Sequence, residues 1–248
     1  MEPRVVTLTN GAFAENCYLV ADPERGEAAI VDPGEEVDLF LARLRHEGWT
    51  PKAIWLTHAH VDHVAGVAGL RARLDVPVFL HPDDRRLYDG VPAQAAMFGL
   101  DTTPPPAPDR AWREGETAAI GACRFDVVHT PGHTPGGVSL VGQGVAFVGD
   151  TLFAGSIGRT DLPGGDTQAL LDSVHLKLFA LPDATVVYSG HGPATTIGDE
   201  KRDNPFVRLV PGVNACLKCG WPVRGKPWGC KNPCPRCGHV YPLGDCSD

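Results

Sequence analysis

The sequence predicts an α/β protein in which two β-sheets pack face to face and helices cover their outer sides. Short apolar runs alternate with segments of helical periodicity, first in one half of the chain and then in the other. Several of these runs end in turns that combine glycine with histidine or aspartate. At 248 residues the chain can bury the core that such an architecture needs.

Five apolar segments of the first half are predicted to be strands: Arg4 to Leu8, Cys17 to Val20, Ala28 to Val31, Ala53 to Leu56 and Pro77 to Leu80. Apolar residues recur at helical spacing from Val37 to Leu44, and Gly48 is expected to end that helix. A second stripe, from Val64 to Leu74, predicts one continuous helix after the fourth strand. Residues 90 to 117 hold a cluster of four prolines and are predicted to be irregular.

The second half repeats the alternation. Its predicted strands are Cys123 to Val128, Gly137 to Val141, Val145 to Val148 and Thr185 to Tyr188, the middle two forming a hairpin. Asp166 or Thr167 is predicted to cap a helix whose buried stripe ends at Leu178. The two halves therefore each supply one sheet and its covering helices.

The charge balance argues against nucleic acid as a partner, because the formal net charge is −8. No apolar run is long enough to cross a bilayer, and residues 1 to 10 lack the pattern of a secretion signal. These features predict a cytoplasmic protein that binds neither nucleic acid nor membrane.

Four metal-capable side chains follow the fourth predicted strand within six positions: His58, His60, Asp62 and His63. Imidazole and carboxylate together suit divalent metals. His58 and His60 are two residues apart in an extended segment and therefore point the same way, whereas Asp62 and His63 lie beyond the bend. This division predicts two metal ions rather than one.

Three later candidates share one context, since each follows the end of an apolar strand in a turn that contains glycine: His133, Asp150 and His191. Strand ends that meet at one edge of a packed sheet can direct distant residues to a common point. The sequence therefore predicts that these three side chains join the histidine run.

Seven residues together resemble the full metal-ligand pattern of the metallo-β-lactamase superfamily: His58, His60, Asp62, His63, His133, Asp150 and His191. The resemblance spans about residues 1 to 205 and implies a four-layer αββα sandwich with metal at one edge. It also implies one ion on His58, His60 and His133, a second on Asp62, His63 and His191, and Asp150 bridging both. Asp32 matches an acid of this family that steadies the loop bearing the histidines.

Such a pair of divalent ions, about 3.5–4 Å apart, holds a bridging water and lowers its pKa until hydroxide forms at neutral pH. That hydroxide attacks an acyl carbonyl while an ion stabilises the developing oxyanion. Asp62 and Asp150 are the predicted catalytic residues, which orient the nucleophile and carry its proton. Zinc is the expected metal, with iron or manganese as alternatives.

Further stretches resemble the short bacterial type II glyoxalases, namely residues 91–100, 158–166 and 191–206. This resemblance implies hydrolysis of a glutathione thioester such as S-lactoylglutathione. Arg159 is the candidate substrate-binding residue, because a guanidinium group can bind a carboxylate through two hydrogen bonds. Alternatively, Arg159 pairs with Asp161 or Asp166 and only fixes the loop.

The sequence is compatible with other activities as well. The leading alternative is a persulfide dioxygenase, a family that shares this fold and a similar Gly-Arg-Thr-Asp run but uses a single iron. A lactonase would use the same hydrolytic chemistry. A non-catalytic binding protein is disfavoured because every ligand of the family pattern is present.

The tail carries two Cys-x2-Cys units, formed by Cys216 with Cys219 and by Cys234 with Cys237. Paired units of this kind are typical of structural zinc, so residues 214–248 are predicted to form a zinc ribbon. The predicted hydrolase domain covers residues 1–205, and residues 206–213 form a linker. A rubredoxin-like iron site is the alternative. The ribbon is a candidate surface for self-association or for a protein partner, or it only stabilises the chain.

Overall fold

The computed structural model describes residues 2–208 and, beyond them, positions 216, 218, 221, 234 and 236–238. Most of the predicted linker and ribbon therefore lies outside the described residues, and the predicted domain boundaries stay predictions. Within the described part of the chain, no helix combines the length and the apolar character needed to cross a bilayer.

The first half of the chain forms a six-stranded sheet whose strands lie side by side in chain order. They are β1 (Arg4–Asn10), β2 (Glu15–Asp22), β3 (Glu27–Val31), β4 (Thr50–Trp55), β5 (Val78–Leu80) and β6 (Arg110–Ala111). The first three are antiparallel, whereas β3 to β6 run parallel. The carboxyl ends of β3 and β4 consequently meet at one edge.

The second half forms another six-stranded sheet and a separate small hairpin. Its strands are β7 (Thr117–Ile120), β8 (Cys123–His129), β9 (Val138–Gly142), β10 (Val145–Gly149), the hairpin strands β11 (Leu152–Phe153) and β12 (Ser156–Ile157), β13 (Val186–Ser189) and β14 (Thr195–Thr196). The order in the sheet is β14-β13-β10-β9-β8-β7. Because β10 is parallel to β13 and two antiparallel pairings separate it from β8, all three strands end at the same edge.

Helices cover the outer faces of both sheets. Those on the first sheet are α1 (Val37–Glu47), α2 (Val61–Val64), α3 (Val67–Arg71), α4 (Arg85–Asp89) and α5 (Val91–Met97). Those on the second are α6 (Thr167–Asp172), which continues through a π-helical turn, and α7 (Ile197–Asp203). Gly48 ends α1 in the left-handed conformation, as the sequence predicts.

Alternating side chains of the strands build the separate cores between these layers. On β2, Leu19 packs under the helices of the first sheet, whereas Val20 faces the second sheet. On β10, Phe147 lies between the sheets, whereas Ala146 packs under the helices of the second half. This period of two is what a strand buried on both faces requires. The predicted four-layer αββα sandwich is thereby confirmed.

The predicted continuous helix from Val64 to Leu74 is wrong, because the segment forms the two short helices α2 and α3. Gly66 lies between them and donates its N–H to the carbonyl of Pro33 at 3.0 Å. A Cβ at this position would lie 2.2 Å from the carbonyl oxygen of Gly34. The break therefore comes from close backbone packing against the turn after β3, which periodicity does not reveal.

Residues 90–117 are not wholly irregular, since they contain α5, β6 and the start of β7. Pro92 lies in the first turn of α5, where a missing N–H costs nothing. Only Val91 and Ala95 of this helix are buried, so it lacks a long apolar stripe. Through Gln94 and Met97 this helix lines the cavity at the candidate ligands.

Candidate metal centre

The predicted ligands converge because their strands end at facing edges of the two sheets. His58 and His60 follow β4 of the first sheet, and His133, Asp150 and His191 follow β8, β10 and β13 of the second. The N–H of Val138 donates to the carbonyl of Thr57 at 2.8 Å, which holds the two edges together. The structure thus brings all seven candidates to one place.

A first ligand group consists of His58, His60 and His133. All three side chains are buried, and one ring nitrogen of each lies within 4.8 Å of the others. Nδ1 of His60 is 2.7 Å from Nε2 of His133. Three imidazole nitrogens facing one point form a ligand set that suits zinc or iron.

A second ligand group consists of Asp62, His63 and His191, again with one donor atom of each within 4.8 Å of the others. Nε2 of His191 lies 3.2 Å from Oδ2 of Asp62. The sequence predicts the same division into two sets.

Asp150 lies between the two groups. Its Oδ2 is 3.5 Å from Nε2 of His133 and 3.6 Å from Nε2 of His191. Its Oδ1 is 3.4 Å from Nε2 of His63. A carboxylate within reach of both groups is what a bridging ligand requires.

Outer hydrogen bonds fix which nitrogen of His58, His63 and His133 faces inward. Nδ1–H of His133 donates to the carbonyl of Arg159 at 2.7 Å, and Nδ1–H of His63 donates to Asp32 at 3.2 Å. The hydroxyl of Thr57 donates to Asp32, so it accepts from Nδ1–H of His58 at 3.1 Å. When these three rings are neutral, Nε2 of each is left as the inward lone pair that can bind a metal ion.

Three of the inward atoms have no hydrogen-bond partner among the described residues, namely Nε2 of His58, Nε2 of His63 and Oδ1 of Asp150. Buried polar atoms are rarely left without a partner, because the desolvation cost is uncompensated. A pair of divalent cations would satisfy all three, so the donor set fits the metals that the sequence predicts.

Asp32 holds the start of the histidine loop. Its Oδ1 accepts the N–H of Thr57 at 2.7 Å, its Oδ2 accepts the hydroxyl of the same residue at 2.6 Å, and it also contacts His63. The backbone of Asp32 has φ of 49°, which a non-glycine residue seldom adopts. The position therefore fits the steadying role that the family resemblance implies.

Burial and neighbouring charges set the pKa values in opposite directions. Burial, followed by the nearby imidazoles, lowers the pKa of His58, and burial with His133 lowers the pKa of His60 to about 4. Burial would also lower the pKa of His63, but Asp62 and Asp150 raise it well above its usual range. Burial acts against ionisation of Asp150, yet His63 holds the pKa of that carboxyl well below normal.

These shifts predict that acidification releases metal from the second ligand group first. His58 and His60 are deprotonated at neutral pH, whereas His63 holds a proton that must leave before an ion binds. Lowering the pH from about 8 to about 6 at fixed free zinc should therefore empty the group that contains His63 while the first group retains its ion. The check is the metal-to-protein ratio after dialysis of a Cys234→Ser/Cys237→Ser variant, which removes two tail thiols.

The control for this titration is His175→Gln in the same background, because His175 is half-buried on the π-helical turn and bonds the carbonyl of Val207. It should give an unchanged metal-release profile. Simultaneous loss of both ions at one pH would contradict the prediction.

Two buried carboxylates near the site were missed by sequence reasoning. Glu15 is buried, and its Oε1 lies 3.7 Å from Nδ1 of His63. Burial raises the pKa of Glu15 well above normal.

Asp84 is the second of these carboxylates. It accepts from the N–H of Ala59 at 2.9 Å, the hydroxyl of Thr134 at 2.8 Å and the N–H of Gly136 at 2.6 Å. Asp84 thus joins the loops that carry the first ligand group. It lies four residues after the end of β5 in a turn without glycine, so it lacks the context of the predicted ligands, and nothing in the sequence marks Glu15.

A cavity of about 520 Å³ opens onto the ligands. One side, here called the apolar wall, consists of Phe13, Leu87, Met97 and Phe98. A second set of lining residues, here called the loop wall, consists of Phe153, Ile157, Arg159, Leu162 and Pro163. Arg159 forms two hydrogen bonds of 2.7 Å to Asp161, so the loop-fixing pair predicted as an alternative is present. Arg159 nevertheless lines the cavity.

In the tail, the sulfur atoms of Cys216, Cys234 and Cys237 lie within 4.8 Å of one another, and Trp221 packs against them. Cys219, the fourth predicted ligand, lies outside the described residues. The three sulfurs are close enough to share an ion, and the zinc ribbon stays a prediction.

The model of the Metallo-beta-lactamase superfamily matches residues 10–191. The chain belongs to this superfamily. It is 41% identical to hydroxyacylglutathione hydrolase GloC of Haemophilus influenzae over 200 residues, which covers 79% of this chain and 94% of that protein. The residues that the family model matches end at position 191, before the cysteine-rich tail.

Solved structures of the superfamily agree with this assignment. The crystal structure of TTHA1623 in a di-iron-bound form is 46% identical, with a TM-score of 0.76 over 81% of this chain and 99% of that one. The structure of ETHE1 from Myxococcus xanthus is 30% identical, with a TM-score of 0.69 over 82% of this chain and 84% of that one. The metallo-β-lactamase fold binds divalent metals, and both groups of candidate ligands described above could hold such an ion.

Proposed function

We propose that this protein is a binuclear metal-dependent thioester hydrolase. The observation that carries the proposal is the position of Asp150, which lies 3.4–3.6 Å from nitrogens of both ligand groups. Support comes from the 41% identity to hydroxyacylglutathione hydrolase GloC and from the similarity to TTHA1623, which was solved in a di-iron-bound form.

In this proposal His58, His60 and His133 would hold one ion, Asp62, His63 and His191 would hold the other, and Asp150 would be shared by both groups. When bound, the two divalent ions would supply the Lewis acidity that activates water and polarises the substrate carbonyl. Zinc is the expected metal, with iron or manganese as alternatives. Asp32 and Thr57 keep the histidine rings oriented through their hydrogen bonds.

Two carboxylates of the protein, Asp62 and Asp150, are placed to accept the proton of the attacking water. In the reaction the oxygen of water attacks the thioester carbonyl carbon, the C–S bond breaks, and the products are a carboxylic acid and a free thiol. Asp62 and Asp150 both line the cavity, and an ionised carboxylate accepts hydrogen bonds, so both can accept one from the attacking water. Asp62 then carries the proton to the departing sulfur.

The proposed substrate is a glutathione thioester such as S-lactoylglutathione. Arg159 is the one lysine or arginine among the described residues that line the cavity. Its guanidinium is exposed and pairs with an equally exposed Asp161, so solvent weakens that pair. A carboxylate of the thiol half can therefore replace Asp161 at modest cost.

A mononuclear iron dioxygenase acting on a persulfide is the second candidate. What favours it is that the first ligand group is by itself a three-histidine set, which can bind one iron. The chain is also 30% identical to ETHE1 from Myxococcus xanthus. The complete second ligand group favours hydrolysis.

Metal content together with activity separates these candidates. The purified protein should hold two ions per chain at the histidine site, should hydrolyse S-lactoylglutathione, and should lose that activity on chelation and regain it with zinc. Elemental analysis and thiol release measure these outcomes, and the Cys234→Ser/Cys237→Ser variant corrects for metal in the tail. A protein with one iron at the histidine site that consumes oxygen with glutathione persulfide would overturn the hydrolase proposal.

A further inference from the structure

The polar side chains that line the cavity are nearly all occupied with other tasks. Among the described lining residues, five belong to the two ligand groups or are Asp150. Gln94 is already engaged at both ends, because its oxygen accepts the N–H of Val61 and its nitrogen donates to the carbonyls of Ala59 and Leu87. Arg159 is the one remaining polar side chain, and it belongs to the loop wall.

The apolar wall is unusually exposed for large hydrophobic side chains. Met97 and Phe98 are 79% and 52% exposed and lie next to each other at the end of α5. Phe98 meets Phe13 edge to face, with ring centroids 5.0 Å apart. Exposed apolar groups that cluster at the mouth of a cavity mark a binding surface.

The two walls differ in what they can recognise. The loop wall carries Arg159, which can bind an anionic group of the thiol half, and its backbone is tied to the first ligand group through His133. The apolar wall offers only hydrocarbon and aromatic surface, so it gains affinity only by excluding water from apolar atoms. With the carbonyl held at the ligands and the thiol half toward Arg159, the acyl half lies against the apolar wall.

We infer that the protein selects thioesters whose acyl group is apolar and several carbons long, bound against Phe13, Met97 and Phe98. The inference rests on the proposed thioester hydrolysis and refines it, since a lactoyl group is short and polar. Each methylene buried on the wall should raise kcat/KM by about fourfold, up to the length at which the chain leaves the wall.

The test uses acetyl, butanoyl and hexanoyl thioesters of glutathione with the metal-loaded, full-length protein. The ratio of kcat/KM for hexanoyl over acetyl should exceed about tenfold in the wild type. Phe98→Ala should lose most of this ratio, whereas Phe98→Leu should retain most of it. Leu39→Ala is the matched control, because Leu39 is an exposed leucine on α1 outside the cavity lining, and its ratio should equal that of the wild type.

Failure of the inference and failure of the proposed function give different results. A wild-type hexanoyl-to-acetyl ratio of kcat/KM near one would overturn the inference while hydrolysis itself stands. Equal ratios for Phe98→Ala and Leu39→Ala would do the same. Cover of the apolar wall by the tail or by a second copy of the chain would give this result. If no thioester is hydrolysed, calorimetric binding of S-methylglutathione and S-hexylglutathione decides the inference. Binding at least about tenfold tighter for the hexyl compound, lost in Phe98→Ala, supports the apolar wall, and equal binding rejects it.

Discussion

Replacement of Asp150 by Asn is expected to lower kcat for thioester hydrolysis by about a thousandfold. Asp150 is the carboxylate, among the described residues, that reaches nitrogens of both ligand groups. An amide of the same size cannot offer two anionic oxygens, so the groups lose their shared ligand and the attacking water loses an acceptor. Steady-state kinetics and metal analysis of the purified variant measure both effects.

The matched control is Asp126→Asn, because Asp126 is an exposed aspartate on β8 of the same sheet. It should keep the wild-type rate and metal content. The thermal unfolding of Asp150→Asn must show a folded protein, since the lost activity is attributed to chemistry. A variant that retains two ions and at least a tenth of the wild-type kcat would contradict the proposed bridging role.

Replacement of Asp84 by Ala is expected to lower the free energy of unfolding by about 3 kcal/mol and to weaken metal binding by about 10- to 100-fold. The change leaves three donors without their acceptor in the interior: the N–H groups of Ala59 and Gly136 and the hydroxyl of Thr134. Ala59 lies between His58 and His60, and Thr134 follows His133, so the same loss loosens the first ligand group. Urea unfolding and competition with a zinc chelator measure the two effects.

The neighbouring Asp83 provides the control, because its side chain is exposed. Asp83→Ala should leave stability and metal affinity close to the wild-type values. If Asp84→Ala matches Asp83→Ala in both measurements, the hydrogen bonds of Asp84 to Ala59, Thr134 and Gly136 do not position the first ligand group.

The sequence could reveal the candidate metal ligands because four of them form one short run after a strand and the other three follow strands in turns that contain glycine. His133, Asp150 and His191 are recognisable without knowing the fold, and only their meeting requires it. The break at Gly66 could not be predicted, because its cause is a contact with Gly34 across 32 positions. Contacts of this kind are properties of the folded backbone.

Asp84, Glu15 and the helix α5 could not be recognised from the sequence, because their roles also depend on the folded chain. Asp84 acts through backbone N–H groups of loops from the other half of the chain and from its own, so its partners have no sequence signature. Glu15 lies within β2 and shows no pattern that separates it from a solvated carboxylate. The helix α5 was hidden because it is short and rich in alanine, and with it the apolar surface of Met97 and Phe98.

The origin of the ligands has a consequence for how the protein matures. Each ligand group combines side chains from both halves of the chain, for example His58 with His133 and Asp62 with His191. An ion bound there is a cross-link between two sheets that emerge from the ribosome one after the other. Neither half supplies a complete ligand group, so stable metal acquisition is expected to come after synthesis reaches His191, as the step that locks the docked halves together.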